Sequence, residues 1–592
     1  MKTNHTINIT SIVRIASAST LILAAAAMAF VASSDTRVSI GSPTSPFSQN
    51  KQNEPAVAID VNHPNVLVAG ANDNIDMEVC NAGDPTTCPF TGEVGVSGVY
   101  FSFDGGTTWV QPTYTGSTAR DCLGPDPCIP HVGPIGTLPG YYENGLVSGG
   151  DPGVAFGPVP DAEGRFSWAN GSRLYYANLA ANFSTLRSEQ VFMGFEAVAV
   201  SRIDAPASTG LTPAIISDQA NWLDPVIVTR QNAVLFSDKE QVWADNAASS
   251  PFFGNVYVCD ASFRSLSRGA ANPHPVTVSV SSDGGNTWRT RQVTPAPANA
   301  EQGFRQGCTA RTDSHGVVYV FDTHFAVGTP GLGAHTMIKS FDGGHTWRRP
   351  VDIFGMNDAC FRVDTVIGRC VEDGIAGARS DLSAMPSVDI ANGAPTGADA
   401  TDEIVDAWVD GRDGLNNEHV MLSYSTNGGA TWSAPTAIES AGDRGYYAAP
   451  ALSPDGSDLY VVYNAFLTPF RETTFEPRSL VGVVKHADVN ADGAPTGWTE
   501  LHRSPPGDPR ASSQNNLAAE FLGDYVYAAA TRDYGTAVWN DVRDAAECPA
   551  MDAWRQSLRS AGSVPLPAPQ QDCAATFGNS DIFGGSFADP TP

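Results

Sequence analysis

The sequence predicts an all-β fold assembled from a repeated antiparallel unit. Three observations predict it. Gly is 57 and Pro 42 of 592 residues while charged residues are only 16%, the balance of a turn-rich chain with uncharged strands. Short apolar strand-like runs, each led by polar residues or Pro, recur along the chain. One eight-residue frame, Ser-x-Asp/Asn-x-Gly-x-Thr-Trp, is written four times: Ser102 to Trp109, Ser281 to Trp288, Ser340 to Trp347 and Ser425 to Trp432.

The frame has the chemistry of a tight hairpin. Asp104, Asp283, Asp342 and Asn427 can fold a side-chain oxygen onto amides ahead of them, and the glycine pair that follows supplies positive φ. Thr and Trp then restart a strand, and the indoles of Trp109, Trp288, Trp347 and Trp432 offer apolar surface to a neighbouring sheet.

This frame resembles the Asp-box, or BNR, repeat of sialidases and other secreted β-propellers. The resemblance implies a propeller of four-stranded antiparallel blades, with each box on the hairpin joining a blade's outer two strands. It also implies that the boxes are structural and remote from any substrate.

Taken in order, the strand phrases mark the blades. The first starts at Asn53-Glu54-Pro55, the second at Gly150-Asp151-Pro152, the third at Asp238-Lys239-Glu240 and the fourth at Arg305-Gln306-Gly307. The fifth follows Arg379-Ser380-Asp381, the sixth Arg444 to Tyr447, and the seventh Gly523-Asp524-Tyr525. Pro55 and Gly523 are 468 residues apart, or 78 per interval, so seven blades are expected, with the six of sialidases as the alternative. Ser580 to Phe583 supplies a late strand of the seventh blade, and Thr36 to Ile40 closes it, which removes the exposed edges that invite aggregation. Residues 111–149 and 543–578 interrupt the pattern as loops over one face.

Residues 1–34 have the plan of a secretory signal peptide: Lys2 and Arg14, then an apolar run from about Ile15 to Ala32. Residues 35–592 form a single propeller, and no other stretch is long and apolar enough to span a membrane. The protein is therefore expected to be secreted, extracellular or periplasmic. Ten cysteines fit such an oxidising compartment. Spacing pairs Cys80 with Cys88, Cys122 with Cys128, Cys360 with Cys370 and Cys548 with Cys573, leaving Cys259 and Cys308 to join adjacent blades. A net charge of -29 excludes a nucleic-acid partner, for which clustered Lys and Arg are needed.

Residues just ahead of each innermost strand converge at one mouth of a propeller's channel, and here they are rich in ionisable and phenolic groups. Two function classes follow. In the first, resemblance to sialidases implies glycoside hydrolysis with a tyrosine nucleophile: Tyr446, Tyr447 or Tyr525, activated by Glu240 or Glu54, with Asp151 or Asp238 as acid. Arg305, Arg379 and Arg444 would clamp a substrate carboxylate, with Glu54, Asp381 and Asp524 completing the lining. The Phe/Tyr-Arg-Ile-Pro motif carrying the first sialidase arginine is absent. In the second class the charges pair with one another, and the propeller binds a glycan, glycoprotein or other protein without chemistry. No cofactor is required by either. Asp488, Asn490 and Asp492 match the start of an EF-hand-type calcium loop, against which a plain polar hairpin tip is the competing reading.

Overall fold

The structure is a computed structural model that describes Met1 and residues 34–591, except 82–87, 89, 230–231, 233–234, 265–273, 297–303, 326–330, 365–366, 381–382, 518–521, 561 and 563. The signal-peptide segment and Asp381 lie outside the described residues. No helix among those described is long and apolar enough to cross a membrane.

Seven antiparallel sheets form a seven-bladed β-propeller. The innermost strands are Gln52–Ile59, Leu146–Pro160, Phe236–Ala244, Phe304–Thr312, Ser387–Ile390, Arg444–Leu452 and Tyr527–Ala530 for blades 1 to 7. Within each blade the strands follow one another outward in chain order, except that the outermost strand of blade 7 comes from the start of the chain, and every strand pairing is antiparallel. Blade 1 has three regular strands, with Val110 bridging Phe101 where a fourth would begin. Blade 2, which lacks a box, is nonetheless complete: its third and fourth strands are joined by a longer segment carrying a short helix, Pro213–Ile216.

Ring closure follows the expected scheme. Blade 7 runs from Tyr527–Ala530 through Tyr534–Asp541 to Asp581–Ala588, and its outer strand is Thr36–Arg37 from before blade 1. All five expected disulfides are present, and Cys259–Cys308 ties the second strand of blade 3 to the innermost strand of blade 4.

The four boxes are alike in detail. Ser340 Oγ donates to Asp342 Oδ1 at 2.9 Å and accepts from the Gly344 amide at 2.8 Å, while the Thr346 amide and hydroxyl both donate to Asp342. The same bonds recur around Ser102 and Ser281, and around Ser425 with one reversal, the Asn427 side-chain amide donating to the Thr431 hydroxyl. Both glycines of each pair have positive φ, 64° and 81° at Gly343 and Gly344, where any Cβ would be strained. Trp288, Trp347 and Trp432 then pack into apolar clusters shared with the preceding blade, and Trp109 into one shared with blade 7.

Because strands alternate in direction, the turn between third and fourth strands lies at the opposite end of a blade from the start of the first. The boxes and the channel-mouth residues therefore occupy opposite faces. Residues 111–149 and 543–578 both connect strands on the channel-mouth face, the first containing a hairpin of Tyr114–Thr118 with His131–Ile135 and the second a helix, Pro549–Ser557. Residues 146–149 belong to the inner strand of blade 2 rather than to the loop.

Candidate functional site

The innermost strands share a local distortion. In blades 1 to 4 the register with the second strand slips at the same point, between Asn53 and Ala56, Gly150 and Gly153, Asp238 and Gln241, and Gln306 and Cys308. The residue at each slip has positive φ: Glu54 at 56°, Asp151 at 53°, Lys239 at 56° and Gly307 at 61°. Three non-glycine residues held in a left-handed conformation, each costing about 1–2 kcal/mol, are a repeated investment in side-chain direction.

They point at one another. Lys239 Nζ lies 3.3 Å from Glu54, 2.9 Å from Asp151 and 2.6 Å from Asp524. Asp524 belongs to blade 7 and Lys239 to blade 3, with blades 1 and 2 between them, so this contact crosses the channel. Arg379, ahead of blade 5, also reaches Asp524, at 3.0 Å. The Tyr525 ring sits 5.9 Å from Lys239 Nζ. Asn72, on the second strand of blade 1, donates to Glu54 at 2.6 Å and accepts from the Asp151 backbone amide at 2.7 Å, tying the Glu54 carboxylate to the backbone of blade 2.

Burial and charge pull against each other here, and charge wins at the hub. Burial alone would lower the Lys239 ammonium, but Asp151, Asp524 and Glu54 hold its pKa well above the ordinary value. Burial would raise Asp524, but Arg379 and Lys239 hold it down at about 2, and Asp151 is lowered against its own burial by Lys239 and Glu54. Burial wins nearby: Asp238 rises to about 6, and Glu240, with neither oxygen hydrogen-bonded, rises well above the carboxylate range.

The three arginines expected to form one clamp have separate partners. Arg305 donates to Asp322 at 2.8 Å and to Thr336 at 2.8 Å inside blade 4. Arg444 bonds Asp373 at 2.5 Å and Glu418 at 2.9 Å. Only Arg379 joins the hub. The reason is the slip itself: in blade 4 the left-handed position is Gly307, which sends no side chain to the axis, and Arg305 lies two residues earlier. Asp238 and Glu240 flank the left-handed Lys239 and sit beside the hub rather than in its ion pairs.

A second cluster adjoins the first. Tyr447 Oη bonds the Gly523 carbonyl and lies 3.2 Å from Tyr446 Oη. Beside Tyr446 lies Glu372, whose two oxygens are buried without a regular hydrogen bond. Burial, offset in part by the Tyr446 hydroxyl, pushes Glu372 well above the usual range, and burial together with Glu372 raises Tyr446. Glu372 and Asp373 were not expected from the sequence. They lie in the connection between blades 4 and 5 rather than at a strand start, and the only signal was an acidic pair just after Cys370.

The stretch read as a calcium-loop start or a plain polar hairpin tip forms a hairpin tip. Residues 490–494 close the hairpin between Leu480–Val489 and Pro495–Arg503, with the Asn490 amide bonded to the Ala494 carbonyl and its side-chain oxygen taken by the Ala494 amide. Asp488 groups instead with Asp458, His486 and Asp589, while Asp492 faces Glu403.

No family model matches the chain, and no curated protein matches it. Among solved structures it is similar to a Hadza microbial sialidase, at 14% identity and TM-score 0.38 over 70% of this chain and 63% of that one. It is also similar to a protein of unknown function from Dyadobacter fermentans, at 11% identity and TM-score 0.35 over 75% and 98% of the two chains. An intramolecular trans-sialidase from Ruminococcus gnavus matches at 13% identity and TM-score 0.35 over 72% and 93%. The chain thus spans just under two thirds of the first of these.

Proposed function

We propose that the protein is an extracellular propeller that binds a glycan or glycoprotein at the mouth of its channel and does not cleave it. The observation that carries this reading is the hub itself. Lys239 is matched by Glu54, Asp151 and Asp524, Arg379 shares Asp524 with it, and Arg305 and Arg444 are paired with carboxylates away from the hub. A catalytic clamp needs cations directed at a substrate, and an acid and base pair needs carboxyls that reach it; charges that neutralise one another across a channel brace the ring instead. Ligand contact then falls to the segments laid over that face. The Asp-box pattern, the five disulfides and the leader-like first 34 residues support an extracellular setting and the glycan class. Binding on a glycan array, with no turnover of a fluorogenic sialoside or of a panel of aryl glycosides, is the expected result; turnover of any of these would overturn it.

The Tyr446 and Glu372 pair favours one second reading, glycoside hydrolysis with Tyr446 as nucleophile and Glu372 accepting its proton. A phenol needs an adjacent base to attack at neutral pH, and burial holds Glu372 largely protonated there, so turnover under this reading is expected to rise with pH. If this reading holds, Tyr446→Phe and Glu372→Gln each abolish turnover while Asp342→Ala in a box leaves it intact.

A further inference from the structure

On the box face, away from the channel mouth, blade 6 and the end of blade 7's third strand bring four ligating side chains together. Asp458 opens the second strand of blade 6, and His486 and Asp488 lie two apart on its third strand, so they share one side of the sheet. Asp458 and Asp488 are direct cross-strand partners, a like-charge pairing that costs stability unless something positive lies between them. Asp589 follows directly on the strand Asp581–Ala588 and comes in from the neighbouring blade. One ligand atom from each of the four lies within 4.8 Å of all the others.

The imidazole is the group that makes this more than an acidic patch. His486 Nε2 is 2.9 Å from Asp458 Oδ1 and 3.8 Å from Asp589 Oδ1, and its ring is held 5.0 Å from Tyr460. Thr591 Oγ1 bonds Asp488 and lies 3.1 Å from Asp589, so the residues beyond the strand fold back over the cluster. Asp458 and His486 are buried and Asp488 and Asp589 half-buried, which leaves an approach from solvent. Among the described residues no Lys or Arg pairs with any of the three carboxylates.

We propose that Asp458, His486, Asp488 and Asp589 form a binding site for a divalent first-row transition ion, Zn2+ or Mn2+, that fastens blade 6 to blade 7. Three carboxylate oxygens and one imidazole nitrogen suit such an ion better than Ca2+, which takes six to eight oxygens. Binding takes the His486 Nε2 lone pair, so the ion replaces the contact between Nε2 and Asp458 Oδ1 with a bond from each of them. The two half-exposed ligands come from different blades, and the ion therefore bridges the last joint of the closed ring.

The test uses the purified full chain, stripped with EDTA and then given ZnCl2, MnCl2 or CaCl2 at equal concentration. Thermal unfolding is followed, and bound metal is counted after equilibrium dialysis. Zn2+ or Mn2+ is expected to raise Tm by about 2 °C or more and to bind at one ion per chain. Asp488→Asn and Asp589→Asn should each lose both effects relative to their own stripped forms. Asp402→Asn, in the separate Asp313, His315 and Asp402 group, should retain them. The proposal is overturned if no ion raises Tm, if Ca2+ alone does so, or if the bound ion survives Asp488→Asn. Counting bound metal keeps the outcome readable even where a variant is less stable.

Discussion

Lys239 of blade 3 and Asp524 at the entry to blade 7 meet 2.6 Å apart across the channel, with a single ammonium shared among three carboxylates from three blades. The contact spans the ring rather than joining neighbours, so it fixes the channel's width as well as its charge.

Removing the ammonium should therefore be severe. Lys239→Met leaves Glu54, Asp151 and Asp524 facing one another in a buried space, and breaking a buried pair from one side costs about 3–5 kcal/mol. Denaturant unfolding should show that loss at pH 8. A smaller loss is expected at pH 5, where the orphaned carboxyls can take up protons.

The ring's fastening carries its own pH dependence. Asp581, beside Ser39 and Arg37, has a carboxyl that burial raises to about 7. A carboxyl raised above its unfolded value binds protons more tightly in the folded state, so its contribution is greatest below about pH 4 and is lost as pH climbs through 7. Asp581→Asn should flatten the fall in stability across that window and make the protein more stable than the wild type at pH 8, on the order of 1–4 kcal/mol. Equal stability curves for the two proteins from pH 4 to 8 would refute this.

At the box the sign reverses. Hydrogen bonds from Thr346 and Ser340 hold the Asp342 carboxylate down at about 2, so its stabilisation is present above about pH 4 and disappears as pH falls through 2. Asp342→Ala should lower stability by about 1 kcal/mol, the usual size for a lost side-chain cap. Ligand binding at the far face should be unchanged, which array binding of the variant checks.

The bridge between blades 3 and 4 joins cysteines 49 positions apart in the sequence. Loop-closure entropy makes such a link worth about 4 kcal/mol through the unfolded state. Replacing Cys259 and Cys308 together by Ser should lower Tm under oxidising conditions and reduce, without abolishing, the fall in Tm on adding reductant, since four other disulfides remain.

Much of this was legible because the blade is a short phrase repeated. The boxes, the strand starts and the closure by Thr36–Arg37 all rest on local patterns that a turn or a strand requires wherever it occurs. Glu54, Asp151, Lys239 and Asp524 could be placed at one mouth for the same reason. What a periodic reading could not supply was which residue of each phrase turns inward. That depends on a one-residue slip, and the slip falls on Lys239 in blade 3 but on Gly307 in blade 4, so Arg305 was expected at the axis and is found within its own sheet. Glu372 escaped notice because a connection has no phase to count from.

The outer strand of blade 7 has an implication for how the molecule is made. Residues 36–37 are synthesised before any blade exists, yet their partner strand, residues 581–588, comes more than five hundred residues later. Six blades can stack as they emerge, each resting on the last, but the circle stays an open arc until the final strand arrives. Throughout that interval blade 1 presents an uncovered flank, and the cell must keep that flank from sticking to another chain.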